Sequence, residues 1–142
     1  MEYSDVKQRF SSCPDLTELD AGPTALLLWR SEEAAFRQGE TIYQEGTKLD
    51  NTFCLLLSGD VVVEKGSEMV GQISEGQIFG EMAFFAPAHA RTATVRVASP
   101  EATVLRIQLS PEELATTRLS ALKKYLGLRA WERFVSDTER EV

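Results

Sequence analysis

The chain has 142 residues and a formal charge of −7, with 26% charged and 43% apolar residues, which suits one acidic domain over residues 1–142 that buries its own core. The excess of acidic residues argues against a broad nucleic-acid interface, and two cysteines with one histidine exclude a disulfide framework and any site built from several imidazoles. No apolar run approaches the ~20 residues that cross a bilayer, and the N-terminus lacks the basic-then-apolar order of a secretory signal, so we expect a cytoplasmic protein with no membrane contact.

Residues 1–32 are predicted to form an N-terminal helical segment. Pro14 interrupts the loose apolar spacing at its start, and Gly22-Pro23 marks a turn. The apolar residues from there to Trp29 suit a short helix with proline in its first turn, where the missing N–H costs little.

Short apolar runs separated by turn signals fill residues 33–109. In the segment that Arg91 opens, Ala93, Val95 and Val97 alternate with polar residues, which is the period of a half-buried strand. Many short strands with a turn about every ten residues, and no helices between them, predict an antiparallel barrel, sandwich or jelly roll. The predicted strands cover residues 41–43, 52–57, 61–63, 69–70, 92–97 and 102–107.

Residues 110–142 are predicted to be helical. Ser110 as N-cap, Pro111 at the first helical position and Glu113 as the reciprocal partner of a capping box mark where this part begins. A second helix follows, and Gly127 is a weak point within it. Its apolar face recurs at three- and four-residue steps and comprises Ala121, Tyr125, Leu128, Trp131 and Val135, widened by Leu119, Leu122 and Leu126.

The same C-terminal part is locally basic. Residues 118–133 hold five Lys and Arg residues and one Glu. A nucleic-acid footprint is one interpretation, but a solvated helix face is the commoner cause of such a run, and we favour it. Only seven residues follow Val135, too few for a helix-turn-helix, so we predict that the chain does not bind DNA.

The segment from Gln77 to Val95 carries the candidate chemistry. Gly80 in a β-rich region permits close approach of a ligand. The acid Glu81, the small Ala83 and a short helical turn follow, where backbone N–H groups would meet an anion. The guanidinium fork of Arg91 suits the two equatorial oxygens of a phosphodiester. Glu81 could accept from a sugar hydroxyl, so the pair fits a ribose cyclic phosphate.

These residues form a recognisable pattern. The run from Phe79 to Phe85, followed by Arg91-Thr92-Ala93, resembles the phosphate-binding cassette of cyclic nucleotide-binding domains. The glycine turns at Gly39, Gly46 and Gly59, with the β-rich runs around them, extend the resemblance to about residues 8–135. It implies a mainly β, eight-stranded antiparallel jelly roll (a double-stranded β-helix) with flanking helices. The implied function is a sensor of cAMP, less so of cGMP, that is not an enzyme and uses no metal or other cofactor.

The resemblance also implies roles for individual residues. Gly80 and Ala83 would present backbone N–H groups, Glu81 would accept from the ribose 2′-hydroxyl, and Arg91 would bind the cyclic phosphate. Ala90 departs from the family pattern, in which many members have proline before the arginine, and this puts loop shape and affinity in question. The predicted ligand-binding residues are Phe79, Gly80, Glu81, Met82, Ala83, Arg91, Thr92 and Ala93.

Several alternatives stay open at this point. Glu81 and Arg91 could be an ordinary surface ion pair, on a jelly roll that acts as a protein interaction scaffold without a ligand. A metal-dependent enzyme of the cupin type is disfavoured by the single histidine, His89. In the sensor interpretation, the C-terminal helix covers the pocket, a second copy of the protein or an effector. The remaining expectations are packed aromatic side chains at Phe84 and Phe85, an exposed His89 and a buried, inert thiol at Cys54.

Overall fold

Eight strands pair into two antiparallel sheets in the computed structural model of the chain. The structure describes residues 29–86, 88–116, 123–124, 126–128 and 130–132, so the predicted N-terminal helical segment lies almost entirely outside the described residues. The elements are β1 (Ser31–Arg37), β2 (Thr41–Tyr43), β3 (Thr52–Ser58), β4 (Val61–Lys65), β5 (Glu68–Ile73), β6 (Ile78–Phe79), a 3-10 turn (Glu81–Phe84), β7 (Thr94–Val97), β8 (Glu101–Gln108) and α1 (Pro111–Leu114).

The two sheets close into a jelly roll. The first sheet has the strand order β1-β8-β3-β6 and the second has the order β2-β7-β4-β5. Every pairing is antiparallel, and apart from the hairpin of β4 and β5 the neighbouring strands are not consecutive in the chain. The predicted eight-stranded antiparallel jelly roll is confirmed.

β3 is buried on both of its faces and organises two cores. Cys54 and Leu56 point between the sheets, into a cluster that includes Val61 of the second sheet. Phe53 and Leu55 point the other way, into an outer cluster that includes Leu109, Leu114 and Leu126. A strand that is covered on both sides needs apolar residues at successive positions, which explains why this run does not alternate.

The structure corrects several predicted boundaries. β1 begins at Ser31, inside the segment predicted to be helical, because residues 31–37 pair along the whole of β8. β6 was not predicted, since two residues carry no readable period. β7 begins at Thr94, so the prediction that Arg91 opens a strand is wrong. The backbone of Arg91 pairs instead with Thr47 and Gly46, outside the sheets.

Alternation in β7 is partly as expected. Val95 and Val97 are buried and Arg96 is exposed, as the period of two predicts. Thr94 is also buried, although it was assigned to the polar face. Its hydroxyl accepts from the backbone N–H of Glu45 at 3.0 Å and from the Gln44 side chain at 3.2 Å, which satisfies the buried oxygen.

The predicted helix start after β8 is confirmed. The Ser110 side chain accepts from the Glu113 N–H, and the Glu113 carboxylate accepts from the Ser110 N–H, which completes a capping box with Pro111 in the first turn. Further on, residues 123–124, 126–128 and 130–132 are helical, and we call them the C-terminal helical segment. Among the described residues, no helix has the length and apolar character that crossing a membrane requires.

Among the described residues, the burial of the C-terminal helical segment matches the predicted apolar face only at Leu126, which was assigned to the widened part of that face. Leu126 and Ala130 are buried, and Leu126 packs in the outer cluster. Leu128 and Trp131, which were assigned to the main apolar face, are 55% and 62% exposed. The other residues assigned to that face lie outside the described residues.

Candidate functional site

The site begins where β6 ends at Gly80. This residue has φ of +89° and caps the 3-10 turn, a backbone conformation that side-chain-bearing residues rarely adopt. A Cβ atom here would lie 2.6 Å from Cε2 of Tyr43 and 3.1 Å from Nη1 of Arg91. Glycine is therefore required both by the turn and by the close approach of the Tyr43 ring and the Arg91 guanidinium.

Backbone hydrogen bonds hold the loop that carries Arg91. The Arg91 N–H donates to the Thr47 carbonyl at 2.8 Å, and its own carbonyl accepts from the Gly46 N–H at 2.9 Å. The Leu49 N–H donates to the carbonyl of His89 at 2.7 Å. His89 itself is exposed, as predicted. The loop is thus held against residues 46–49 at His89 and through both backbone groups of Arg91.

The guanidinium of Arg91 is buried and engaged. Only 4% of Arg91 is exposed. Its Nη2 donates to Oδ1 of Asp50 at 2.6 Å and lies 2.8 Å from the Thr52 carbonyl oxygen and 3.2 Å from Thr52 Oγ1. Its Nη1 donates to the Gly80 carbonyl at 2.8 Å. Since a guanidinium carries five N–H groups, both hydrogens of Nη2 are committed, whereas Nε and the second hydrogen of Nη1 take part in no hydrogen bond among the described residues.

Asp50 is the anionic partner of this arginine. Partial burial by itself raises the pKa of Asp50, but hydrogen bonds from Thr52 and Arg91, together with the arginine charge, outweigh that effect and hold the pKa below its ordinary value. Thr52 donates to Oδ1 of Asp50 from both its hydroxyl, at 2.6 Å, and its backbone N–H, at 3.2 Å. Asp50 is therefore charged at neutral pH and anchors the guanidinium.

Tyr43 lies against the arginine, and Cys54 contacts the Tyr43 hydroxyl. The Cζ atom of Arg91 lies 3.6 Å from the centroid of the Tyr43 ring. Burial raises the pKa of the Tyr43 hydroxyl far above its ordinary range. Burial also raises the pKa of the Cys54 thiol to about 11, which agrees with the expectation of a buried and inert thiol.

The structure brings most of the predicted ligand-binding residues together around the 3-10 turn. Glu81 is fully buried, so neither it nor Arg91 belongs to a surface ion pair. Thr92 and Met82 meet, with the Thr92 hydroxyl 3.8 Å from the Met82 sulfur. Four of the predicted residues are half-buried: Gly80, Met82, Thr92 and Ala93. The other four are at most 4% exposed: Phe79, Glu81, Ala83 and Arg91.

The two aromatic residues of the turn differ in their surroundings. Phe84 is buried in the outer cluster and meets Phe53 edge to face, with ring centroids 5.9 Å apart. Phe85 is 39% exposed and faces the C-terminal helical segment, where a Cβ on Gly127 would lie 3.5 Å from its ring. Both residues therefore serve packing, as predicted.

Sequence reasoning missed the residues that hold Arg91. Tyr43, Asp50 and Thr52 precede the arginine by 39 to 48 positions and come from β2, the β2–β3 connection and β3. An acid just before a strand is a weak signal, because exposed acids are common in turns. The fold alone brings these groups to one guanidinium.

The sequence of this chain matches a known protein family. A family model described as the cyclic nucleotide-binding domain matches residues 33–111. The chain belongs to the cyclic nucleotide-binding domain family. The match contains β2 through β8, the 3-10 turn and Arg91, so the family resemblance noted in the sequence is confirmed. Among curated protein sequences, no significant relative is found.

Solved structures of cyclic nucleotide-binding domains share the fold at low identity. A PKAR CBD2 domain bound to Sp-2Cl-cAMPS matches with a TM-score of 0.79 and 18% identity, over 100% of this chain and 96% of that one. A protein from Geobacter metallireducens, named as a cyclic nucleotide-binding protein, matches with a TM-score of 0.74 and 23% identity, over 92% and 96%.

A third similar structure is the regulatory subunit of a cAMP-independent protein kinase A from Trypanosoma cruzi, bound to guanosine. Its TM-score is 0.64 at 18% identity, over 79% of this chain and 38% of that one. This chain thus spans well under half the length of that subunit. At such identities the three likenesses establish the fold.

A metal centre is not formed by the described residues. No group of three or more His, Cys, Asp or Glu side chains among them could hold a metal ion.

Proposed function

We propose that this domain binds a cyclic nucleotide beside the 3-10 turn, prefers cAMP to cGMP, and acts as a regulatory rather than a catalytic module. The main support for the proposal is the hydrogen bonding of the Arg91 guanidinium. Its guanidinium is buried and held by Asp50, Thr52 and Gly80, yet Nε and one Nη1 hydrogen are uncommitted among the described residues. A positioned cation with spare donors beside a glycine turn suits a phosphodiester anion.

The phosphate supplies the only full charge of a cyclic nucleotide. Leaving that charge unpaired in a recessed site should cost several kcal/mol, so Arg91 should dominate affinity. Glu81 is proposed to accept from the ribose 2′-hydroxyl. Loss of one such charge-assisted hydrogen bond costs about 1.5–3 kcal/mol.

Preference for the base is assigned to Thr92. Among the described residues, its hydroxyl contacts only the weak acceptor sulfur of Met82, so it can turn toward a base. A hydroxyl here could meet the 2-amino group of a guanine base, which would favour cGMP. The similar PKAR CBD2 structure nonetheless holds Sp-2Cl-cAMPS, an analogue of cAMP, and this supports cAMP as the preferred ligand.

A second candidate function is a jelly-roll scaffold that binds no nucleotide. One observation favours it: both hydrogens of Arg91 Nη2 are already committed to Asp50 and Thr52, so the guanidinium cannot offer Nη2 to a ligand without losing one of these contacts. A phosphate would have to be held by Nε, Nη1 and backbone N–H groups. Direct binding measurements separate the two functions.

Titration calorimetry with cAMP, cGMP and adenosine tests the proposal. We expect cAMP to bind most tightly and adenosine, which lacks the phosphate, to bind much more weakly. Arg91→Ala should reduce cAMP affinity by on the order of 100-fold or more, and Glu81→Ala by about 10- to 100-fold, since each 1.4 kcal/mol is tenfold. Arg96→Ala is the matched control, because Arg96 lies on β7 and pairs with Glu64 at 3.0 Å outside the site.

The possible outcomes are distinct. No heat with any of the three ligands supports the scaffold function. Unchanged cAMP affinity in Arg91→Ala, with its fold verified by circular dichroism, overturns the site assignment. A preference between cAMP and cGMP that does not move in Thr92→Ala removes the hydroxyl from the argument.

The proposed output is a change in the C-terminal helical segment. Leu128 and Trp131 expose apolar surface there, which supports a contact with a second copy of the protein or with an effector. We include in the proposal that the nucleotide shifts this segment and so controls that contact. No role in DNA binding is proposed.

A further inference from the structure

The ring of Tyr43 is the surface on which the Arg91 guanidinium lies. The distance of 3.6 Å from Cζ to the ring centroid is well inside the ~6 Å range of a cation–π contact. Only 6% of Tyr43 is exposed, so the contact is desolvated, where such interactions are strongest. Gly80 closes the arrangement from the side, since any Cβ there would overlap the ring. The ring therefore limits where the guanidinium can go.

The Tyr43 hydroxyl is tied to the same arginine through a directed chain of hydrogen bonds. Thr52 Oγ1 donates its single hydrogen to the carboxylate of Asp50 at 2.6 Å, because an ionised carboxylate only accepts. In the contact of 2.9 Å between the two hydroxyls, Tyr43 must then be the donor. Its own oxygen is left to accept from the Cys54 thiol at 3.2 Å.

The same donor and acceptor assignment leaves Thr52 Oγ1 able to accept a hydrogen bond from Arg91. Thr52 Oγ1 has two lone pairs, and they accept from Tyr43 and from Nη2 of Arg91. The chain runs from Cys54 through Tyr43 and Thr52 to Asp50, and each member polarises the next. Both the ring and the hydroxyl of Tyr43 thus act on the guanidinium, one by direct contact and one through Thr52.

We propose that Tyr43 is a positioning residue of the phosphate site, acting through Arg91 and not by touching the ligand. The expected effect of Tyr43 on ligand affinity rests on the proposed function, whereas the effect of Tyr43 on Arg91 can be measured without ligand. Tyr43→Leu removes the ring and keeps apolar bulk. Tyr43→Phe keeps the ring and removes only the hydroxyl.

Affinity for two ligands is the first readout. We expect Tyr43→Leu to weaken cAMP binding by about 10- to 30-fold and Tyr43→Phe by about threefold, with adenosine affinity unchanged within twofold in both. A purely structural role would weaken both ligands equally. Equal losses, or no loss in either variant, overturn the inference. If Tyr43→Leu fails to fold, the same comparison in Tyr43→Phe decides.

The second readout is the NMR resonance of the Arg91 Nε–Hε group, assigned by its absence in Arg91→Lys. A proton held over an aromatic ring is shielded, so Tyr43→Leu should move this resonance downfield, whereas Tyr43→Phe should leave it close to the parent position. An unmoved resonance in Tyr43→Leu overturns the inference. If the parent binds no cAMP but the resonance moves, the proposed function fails while the positioning of Arg91 by Tyr43 stands.

Discussion

At the scale of single residues, the pair formed by Arg91 and Asp50 dominates the electrostatics of the site. The two residues differ in environment, since the side chain of Arg91 is 3% exposed and the side chain of Asp50 is 61% exposed. The buried charge is therefore the one that depends on its partner, while the carboxylate keeps part of its hydration. Among the described residues, removing Asp50 leaves the guanidinium with hydrogen bonds only to carbonyl and hydroxyl acceptors.

This pairing predicts a pH-dependent contribution to stability. The folded-state pKa of Asp50 is lower than its ordinary value of 3.8, so the contribution is fully present above that value and is lost as the pH falls through the folded pKa. Measured by urea unfolding, the free energy of unfolding should be larger for the parent than for Asp50→Asn, and the difference should stay constant from pH 7 to about pH 5. Below about pH 4 the difference should shrink.

An aspartate outside the site provides the control for this measurement. Asp60 is exposed in the turn between β3 and β4, and Asp60→Asn removes the same group there. A difference between the parent and Asp50→Asn that stays constant down to pH 3, or that follows the trend of Asp60→Asn, would contradict the assigned role of Asp50.

At the scale of the elements, hydrogen bonds of caps and loops position the parts that the sheets do not. Backbone hydrogen bonds to residues 46–49 hold the segment before β7, and the Ser110 capping box stabilises the beginning of α1. α1 directs Leu114 into the outer cluster, next to Leu126 of the C-terminal helical segment. The cap therefore stabilises the junction between the jelly roll and its C-terminal part.

Ser110→Ala should lower the free energy of unfolding by about 1 kcal/mol, the usual cost of losing a serine N-cap. Urea unfolding measures the change. Ser67→Ala is the matched control, because Ser67 is exposed in the turn between β4 and β5, and we expect it to change stability by less than about 0.5 kcal/mol. Equal effects of the two substitutions would mean that the capping box contributes nothing measurable.

At the scale of the whole molecule, the candidate site and the C-terminal helical segment are in contact. The 3-10 turn ends in Phe84, which shares the outer cluster with Leu126. Phe85 follows directly and packs near Gly127. A ligand that moves the turn must therefore repack these neighbours, provided that it binds the two arrangements with different affinity.

Trp131 can serve as a reporter of the proposed movement, since it is 62% exposed on the helical segment. In a Trp29→Phe background, saturating cAMP should change the Trp131 emission and the amide exchange of residues 123–132. Leu126→Ala should weaken the response, because it removes a side chain by which the segment packs in the outer cluster. Emission and exchange that both stay constant at saturation would leave a domain that binds without signalling through its C-terminus.

Much of the fold was readable from the sequence, for local reasons. The turn glycines, the apolar period of Val95 and Val97 and the Ser110 capping box are local signals, and each predicted its element. β6 and the start of β1 were missed, because two residues show no period and the acidic residues of β1 hide the pattern of a strand that pairs along β8.

The sequence by itself also indicated the candidate cassette, because Gly80, Glu81 and Arg91 lie close together in the chain in a pattern that resembles a known family. Only the tertiary structure decided what holds the arginine. Tyr43, Asp50 and Thr52 reach Arg91 because β2, β3 and the loop before β7 converge when the sheets close. Local period and composition carry no information on which distant groups will meet, because strand order and register are properties of the closed fold.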